Sequence, residues 1–360
     1  MNFRRRTTLL LALLLPVLSG CSHIAYYGQA VSGHLRLMAA REPVDELLND
    51  PHTPKALQEQ LREAQAIRRY ASDVLGLPDN DSYQSYVSTG RDFVTWNVVA
   101  APAYSVKPRQ WCFPVAGCVS YKGFFDQADA DALAEKLTAE GLDVSVNGAT
   151  AYSTIGWFDD PLLDTMLKGS RVRLAALIFH ELAHQQLYVS GDSKFNEAFA
   201  SLVEQEGVRR WLAEQGDTDL LTRYEAFLMR REQFSALLMS AREQLMALYA
   251  SEADDASLAA GKAAVFTQLR TDYQTLRDTW DGYAGYDNWF SQPLNNARLV
   301  SIATYRHLVP SFKALFDQEG GDFTAFYSAV ERLGELDQAQ REEAVLALAA
   351  NADAVDPDVN

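Results

Sequence analysis

The chain has 360 residues, of which 48% are hydrophobic and 22% charged, so it carries enough apolar material for a large core and too little polarity for general disorder. A net charge of −16 excludes nucleic acid as an expected partner, because holding phosphates takes a positive patch that so acidic a chain does not advertise.

The amino terminus, MNFRRRTTLLLALLLPVLSGC, sets Arg4, Arg5 and Arg6 ahead of an apolar run from Leu9 to Leu18. That run is too short to span a bilayer and reads as the apolar part of an export signal. The junction Leu18-Ser19-Gly20-Cys21 resembles the bacterial lipobox. Residues 1–20 are therefore expected to be a lipoprotein signal peptide, with Cys21 the acylated first residue of the mature chain. Several acyl chains on one cysteine give stable anchoring to a membrane. Ser22 after the cysteine favours, by likeness to enterobacterial sorting, an outer-membrane lipoprotein facing the periplasm. No other stretch is long and apolar enough to cross a membrane.

Residues 21–81 read as an N-terminal helical segment. A break is expected near Pro43, and a second helix starts at Thr53-Pro54 with the stripe Leu57, Leu61, Ala64, Ile67 and Ala71. Residues 82–160 change texture and predict a small α/β sheet unit. Strands are expected over 93–99, 119–124 and 142–146, with a short helix over 127–140. Cys112 and Cys118 flank Pro114 and Gly117, so the segment between them can turn back. In the oxidising compartment that an export signal implies, a disulfide is the expected outcome, and the rival of a cysteine metal pair lacks a neighbouring histidine. The stretch 151–158, AYSTIGWF, reads either as an edge strand able to pair with an extended substrate or as an ordinary aromatic core strand.

From 161 to 350 the pattern is helical. The periodicity predicts helices over 171–189 and 194–214, a hairpin of two long helices over 217–250 and 256–281, an aromatic loop over 282–293, and helices over 294–317 and 322–350. Residues 351–360 read as a flexible tail. The fold class is thus α+β, mainly α-helical, with a small mixed sheet unit ahead of a helical C-terminal part.

The chemistry sits in 178-IFHELAHQQLYVSGDSKFNEAFASLVEQEG-207. His180 and His184, four apart, project from one helical face, so both imidazoles can reach a single Zn²⁺. Glu181 stands where a carboxylate can take a proton from activated water. Two helix-face histidines satisfied by core hydrogen bonds is the bland reading; with six histidines in the whole chain, this spacing around a glutamate is a rare coincidence. A catalytic zinc needs a third ligand, for which Asp192, Glu197, Glu204 and Glu206 are available. Glu197 is the best placed, because it opens the next helix after the short turn Gly191-Asp192-Ser193. Glu204, seven residues on and on the same face, is the reserve ligand or a group that hydrogen-bonds a ligand.

Asn196-Glu197-Ala198-Phe199-Ala200 resembles the Asn-Glu-Gly-Phe-Ala segment of membrane alanyl aminopeptidases and the Asn-Glu-Ala segment of thermolysin-like enzymes. In those gluzincins the glutamate is the third zinc ligand and the two helices run antiparallel. Twelve residues separate His184 from Glu197, fewer than in either family, and the Gly-x-Met-Glu-Asn exopeptidase motif is absent. A closer resemblance covers most of the chain after Cys21. The segments CFPVAGCVSYKGFF, AYSTIGWFDDPLL, HELAHQQLYV, FNEAFA and NNARLVSIATYRHLVPSF are similar to those of a family of bacterial lipoproteins labelled "putative aminopeptidases", assigned to zinc peptidases by motif.

That resemblance implies a zincin-like catalytic module, one Zn²⁺ per chain held by His180, His184 and Glu197, and a peptide or protein substrate. Glu181 would be the general base on water. For the oxyanion donor, Tyr305, His307, Arg298 and Tyr152 are available; Tyr305 is favoured by likeness to the downstream tyrosine of alanyl aminopeptidases, against a plain packing role beside Leu299 and Ile302. The alternatives are an envelope endopeptidase, a non-catalytic zinc-binding lipoprotein, and a zinc hydrolase of another amide. Oligomeric state is open.

Overall fold

The computed structural model describes residues 26–113, 117–154, 156–303 and 308–355. Cys21, Tyr305 and His307 therefore lie outside the described residues. The architecture is α+β and mainly helical, with small sheets of two or three strands.

A first helix, α1 (26–39), leads into the short strand β1 (Glu42–Pro43) and the helices α2 (Val44–Asn49) and α3 (Lys55–Asp73). α3 buries Leu61, Ala64, Ile67 and Ala71, the stripe expected from its periodicity. β1 pairs antiparallel with β2 (Ser85–Val87), which in turn pairs parallel with β8 (Leu162–Leu163). The main sheet has β3 (Thr95–Pro102) at its centre, with β6 (Lys122–Phe124) and β7 (Leu142–Ala149) antiparallel on either side. Alternation along β3 divides two cores. Val98 and Ala100 pack with the helix α4 (Gln127–Ala139), whereas Val99 and Ala101 face the helices that follow later in the chain. The expected strand 119–124 is two strands: β5 (Gly117–Val119) pairs with β4 (Trp111–Phe113), and β6 joins the main sheet. The Cys112–Cys118 disulfide bridges opposed positions of the β4–β5 hairpin.

Residues 151–154 and 156–161 form no strand. Asp160, fully buried, holds this strap instead by accepting hydrogen bonds from the Thr154 amide and hydroxyl and from the Ser153 hydroxyl. A short helix, α5 (Asp164–Leu167), then precedes the central pair α6 (Arg171–Gln186) and α7 (Ser193–Glu214). α8 (Thr218–Tyr249) and α9 (Asp255–Asp278) form the expected hairpin. The aromatic loop after it contains a helical turn, α10 (Asp287–Ser291), followed by α11 (Asn296–Ala303), α12 (Val309–Gln318), α13 (Phe323–Gly334) and α14 (Gln338–Val355). The single helix expected over 322–350 is broken after Gly334, where Asp337 takes up the free amides of Ala339 and Gln340.

α6 is apolar on nearly every side, with Leu174, Ala175, Ile178, Phe179, Leu182 and Ala183 all buried, and so runs through the largest core against α3 and α7. Close approach of α7 depends on Gly207. A Cβ there would lie 2.8 Å from Leu75 Cδ1 and 2.9 Å from Phe179 Cδ2. Gly207→Val is expected to destabilise the fold by about 1–3 kcal/mol through overpacking. A lowered urea midpoint with an unchanged slope would show it; an unchanged midpoint would mean α7 does not need this contact.

Candidate metal centre

The site is built at the end of α6 and the start of α7. The Ser170 hydroxyl caps α6 by accepting from the Arg173 amide, and the Asp192 carboxylate caps α7 by accepting from the Phe195 amide. Between them the chain turns at Gly191, whose φ of +83° suits glycine. The turn is locked by Asn196. Its Oδ1 accepts from the Val189 amide and its Nδ2 donates to the Val189 carbonyl, both at 2.8 Å. Asn196 is buried, and Glu197 follows it directly. Glu197 therefore comes back over the last turns of α6, and the two helices run antiparallel: Glu197 faces His184 and His180, Glu204 faces His180, and Gly207 faces Phe179.

The three candidate ligands converge on one point. His180 Nε2 and His184 Nε2 lie 3.2 Å apart, Glu197 Oε2 is 3.5 Å from His180 Nε2, and Glu197 Oε1 is 3.7 Å from His184 Nε2. Among the described residues these three form the cluster able to hold a metal ion. The spacing fits a tetrahedral ion: ligand distances of about 2.0–2.1 Å put neighbouring ligand atoms roughly 3.3–3.4 Å apart. Two nitrogens that close, both in rings and beside a carboxylate, are a donor set that could hold a metal ion. The site is also open on one side, since the Glu197 side chain is 40% exposed against 9% for His184.

Glu204 does not join this cluster. Its Oε2 lies 3.3 Å from the other ring nitrogen of His180, Nδ1, while its Oε1 accepts from Arg231 at 3.0 Å. A carboxylate on the far nitrogen of a metal-binding histidine fixes its tautomer and raises its basicity. Glu206, the other late candidate, pairs with Arg209 at 2.6 Å.

Glu181 projects to the neighbouring side, where its carboxyl is hydrogen-bonded by Ser153. Burial holds its pKa above the ordinary glutamate value, offset by the nearby His180 and reinforced by Glu197 and Asp160. Buried Tyr83, in the left-handed region at φ +64°, is close enough to be influenced by the Glu181 charge. Burial pulls the His180 pKa down, but hydrogen bonds to Glu197 and Glu204 and the charge of Glu181 overcome it and push the value up to about 10. His184 moves oppositely, to about 4, through burial and the charge of His180.

The other sequence candidates go elsewhere. The Tyr152 hydroxyl lies 3.3 Å from His34 Nδ1. Arg298 donates to the Trp289 carbonyl and sits over its ring. The Asn-Asn pair ahead of it is a brace: buried Asn296 binds the Pro102 and Ala103 carbonyls and the Tyr249 hydroxyl, and Asn295 donates to the Val144 carbonyl. Sequence reasoning did not find Ser153, Arg231 or Tyr188. Tyr188 stands edge-on to His184 with ring centroids 6.5 Å apart and is half exposed; its position four residues past His184 was the available signal.

A family model described as "putative aminopeptidase" matches residues 25–345. The chain belongs to that family. The matched residues run from α1 into the first half of α14 and include α6, α7 and the strap beside Glu181. No curated protein and no solved structure matches the chain.

Two outcomes are expected. Near neutral pH the metal-free protein carries a proton on His180 and none on His184, so metal uptake through both Nε2 atoms should release about one proton. Affinity should then rise about tenfold per pH unit until the pH approaches 10. Calorimetry in buffers of different ionisation enthalpy measures the release, and none would contradict the His180 charge state. Glu204→Gln should weaken metal binding by about 10–100-fold without abolishing it.

Proposed function

We propose that the protein is a zinc-dependent peptidase of the cell envelope that hydrolyses peptide bonds, with an aminopeptidase activity as the first reading and envelope endopeptidase as the alternative. The observation that carries the proposal is the antiparallel α6–α7 pair, which sets His180, His184 and Glu197 around one point and leaves Glu181 beside it. Membership of the aminopeptidase family supports peptide hydrolysis at the coarse level. Zinc suits two imidazoles and one carboxylate with an open side, and when bound it polarises a carbonyl and acidifies a water.

The chain's own residues supply the rest. Glu181 takes the proton from the attacking water and returns it to the leaving amine. Its raised pKa favours both transfers, because a base works best when its pKa nears the working pH. The Ser153 hydroxyl aims the Glu181 carboxyl. Glu204, held by Arg231, keeps His180 turned so that Nε2 faces the cluster. A phenol donates to the oxyanion of the tetrahedral intermediate. Tyr305 is assigned this role by its likeness to the gluzincin tyrosine, and Tyr188 stands beside His184 as the second donor.

The endopeptidase alternative draws on one observation. A free α-amine is usually held by a glutamate pair near the metal, and Glu204 and Glu206 are both engaged by arginines. Location at the envelope rests on the lipobox at Cys21.

Glu181→Gln should retain zinc and lose about 10²–10⁴-fold in kcat, whereas Glu197→Ala should lose both metal and activity. Full zinc occupancy in Glu197→Ala would remove it as a ligand, and an active Glu181→Gln would remove the mechanism. Paired peptides with free and acetylated amino termini decide between the two peptidase readings: cleavage of only the free form supports the aminopeptidase.

A further inference from the structure

α1 has two unlike faces. Its inner face is anchored on the sheet unit: Gly33 packs against the Phe125 ring, Leu37 is buried, and Gln29 donates to the Gly123 carbonyl and accepts from the Phe125 amide. Its outer flank carries Tyr27, Val31 and Leu35, spaced by four so that they stack in one stripe, with exposures of 39, 55 and 58%. Beside the stripe lies the strap of residues 151–154 and 156–160. The Phe158 ring is 4.8 Å from that of His34, Tyr152 reaches His34 Nδ1, and Arg41 donates to the Asp159 carbonyl. The tip of the strap therefore adds Trp157, 75% exposed, and Phe158, 55% exposed, to the same side. Five large apolar side chains facing solvent on two adjoining elements exceed the scattered exposure usual on a soluble surface.

We infer that this face is a membrane-docking surface that lies against the lipid bilayer into which the acyl chains of Cys21 insert. The inference rests on the proposed acylation of Cys21 and adds an orientation to it. Reach is the first argument. Five peptide steps separate Cys21 from Tyr26, which allows at most about 18 Å between the anchored surface and the start of α1. α1 itself is only about 21 Å long, so its whole outer flank stays within about 40 Å of the anchored surface and its first turn within about 25 Å. Charge is the second. The chain has 48 acidic residues, yet the first of them is Glu42; α1 carries Arg36, and Arg41 follows it. Lys122 lies over the Tyr26 ring at the same end. The helix that an acidic protein presents to a phosphate-bearing surface is thus free of acids and weakly basic, with exposed Asp159 the carboxylate beside the strap tip. Composition is the third, since tyrosine and tryptophan at the rim with aliphatic side chains between them suit the headgroup boundary.

The test uses the full chain purified with its acyl groups and reconstituted in vesicles of phosphatidylethanolamine and phosphatidylglycerol carrying brominated acyl chains. Tryptophan emission should be quenched, and Trp157→Phe should lose more than half of that quenching. Val31→Glu/Leu35→Glu/Phe158→Glu should lose as much while staying acylated, vesicle-bound and unchanged in thermal midpoint. Absent quenching, or quenching indifferent to Trp157→Phe, would overturn the docking surface. Mass spectrometry separates this result from failure of the anchor. If Cys21 proves unmodified, flotation of the Cys21→Ser chain with the same vesicles still decides: at least fivefold less of the triple variant should float, and equal flotation overturns the proposal. A concentration-dependent dimer of the Cys21→Ser chain, abolished by the triple variant in light scattering, would assign the face to self-association and likewise overturn it.

Discussion

The pair of hydrogen bonds between the Asn196 side chain and the backbone of Val189 is the constraint on which the centre depends. An apolar helix such as α6 can place two histidines on one face by periodicity alone, but it has no means of supplying a carboxylate opposite them. That comes from α7, and α7 arrives at the right height only because the connection between the helices is closed by a buried amide that satisfies both the donor and the acceptor of Val189. Arg341 on α14 adds a second tie, donating to the Asp192 carboxylate that caps α7. The carboxy-terminal helices thus hold the beginning of α7 while Asn196 holds it to the end of α6. The order Asn-Glu then has a physical sense: the first residue fixes the turn and the second faces the ion site.

Charge in and around the centre follows from the same packing. His180 sits among three carboxylates, Glu181, Glu197 and Glu204, in a largely buried setting. Such a concentration of negative charge is costly without compensation, and the protein compensates in part through Arg231 on α8, itself stacked over Phe227. A divalent cation would supply the remainder. The acidic cluster and the buried His184 Nδ1, which has no hydrogen-bond partner among the described residues, describe a site organised around positive charge.

Much of this was legible in the chain. HELAH on an apolar helix identified its face, and a glutamate opening the next helix identified the returning element, because both signals are local: periodicity, a turn, a cap. The long hairpin of α8 and α9 was readable for the same reason, and so was the Cys112–Cys118 closure. What was not readable depends on contacts between distant residues. Arg231 meets Glu204 across 27 positions, and Ser153 meets Glu181 through the strap, neither announced by spacing. The strap itself looked like a strand because its composition is aromatic and β-branched; buried Asp160, collecting the hydrogen bonds that a neighbouring strand would otherwise take, gives it another shape. The break between α13 and α14 was hidden because apolar periodicity continues past Gly334 while the cap at Asp337 depends on a single side chain. The Asn295-Asn296 pair, which carried no signal of its own, braces the sheet against α8.

The strap has one more consequence. Ser153 meets the Glu181 carboxyl while Tyr152 and Phe158 meet His34 of α1, so the carboxyl at the centre and the helix at the amino end share the same short stretch of chain. How the amino-terminal helix is seated therefore bears on how the Glu181 carboxyl is aimed.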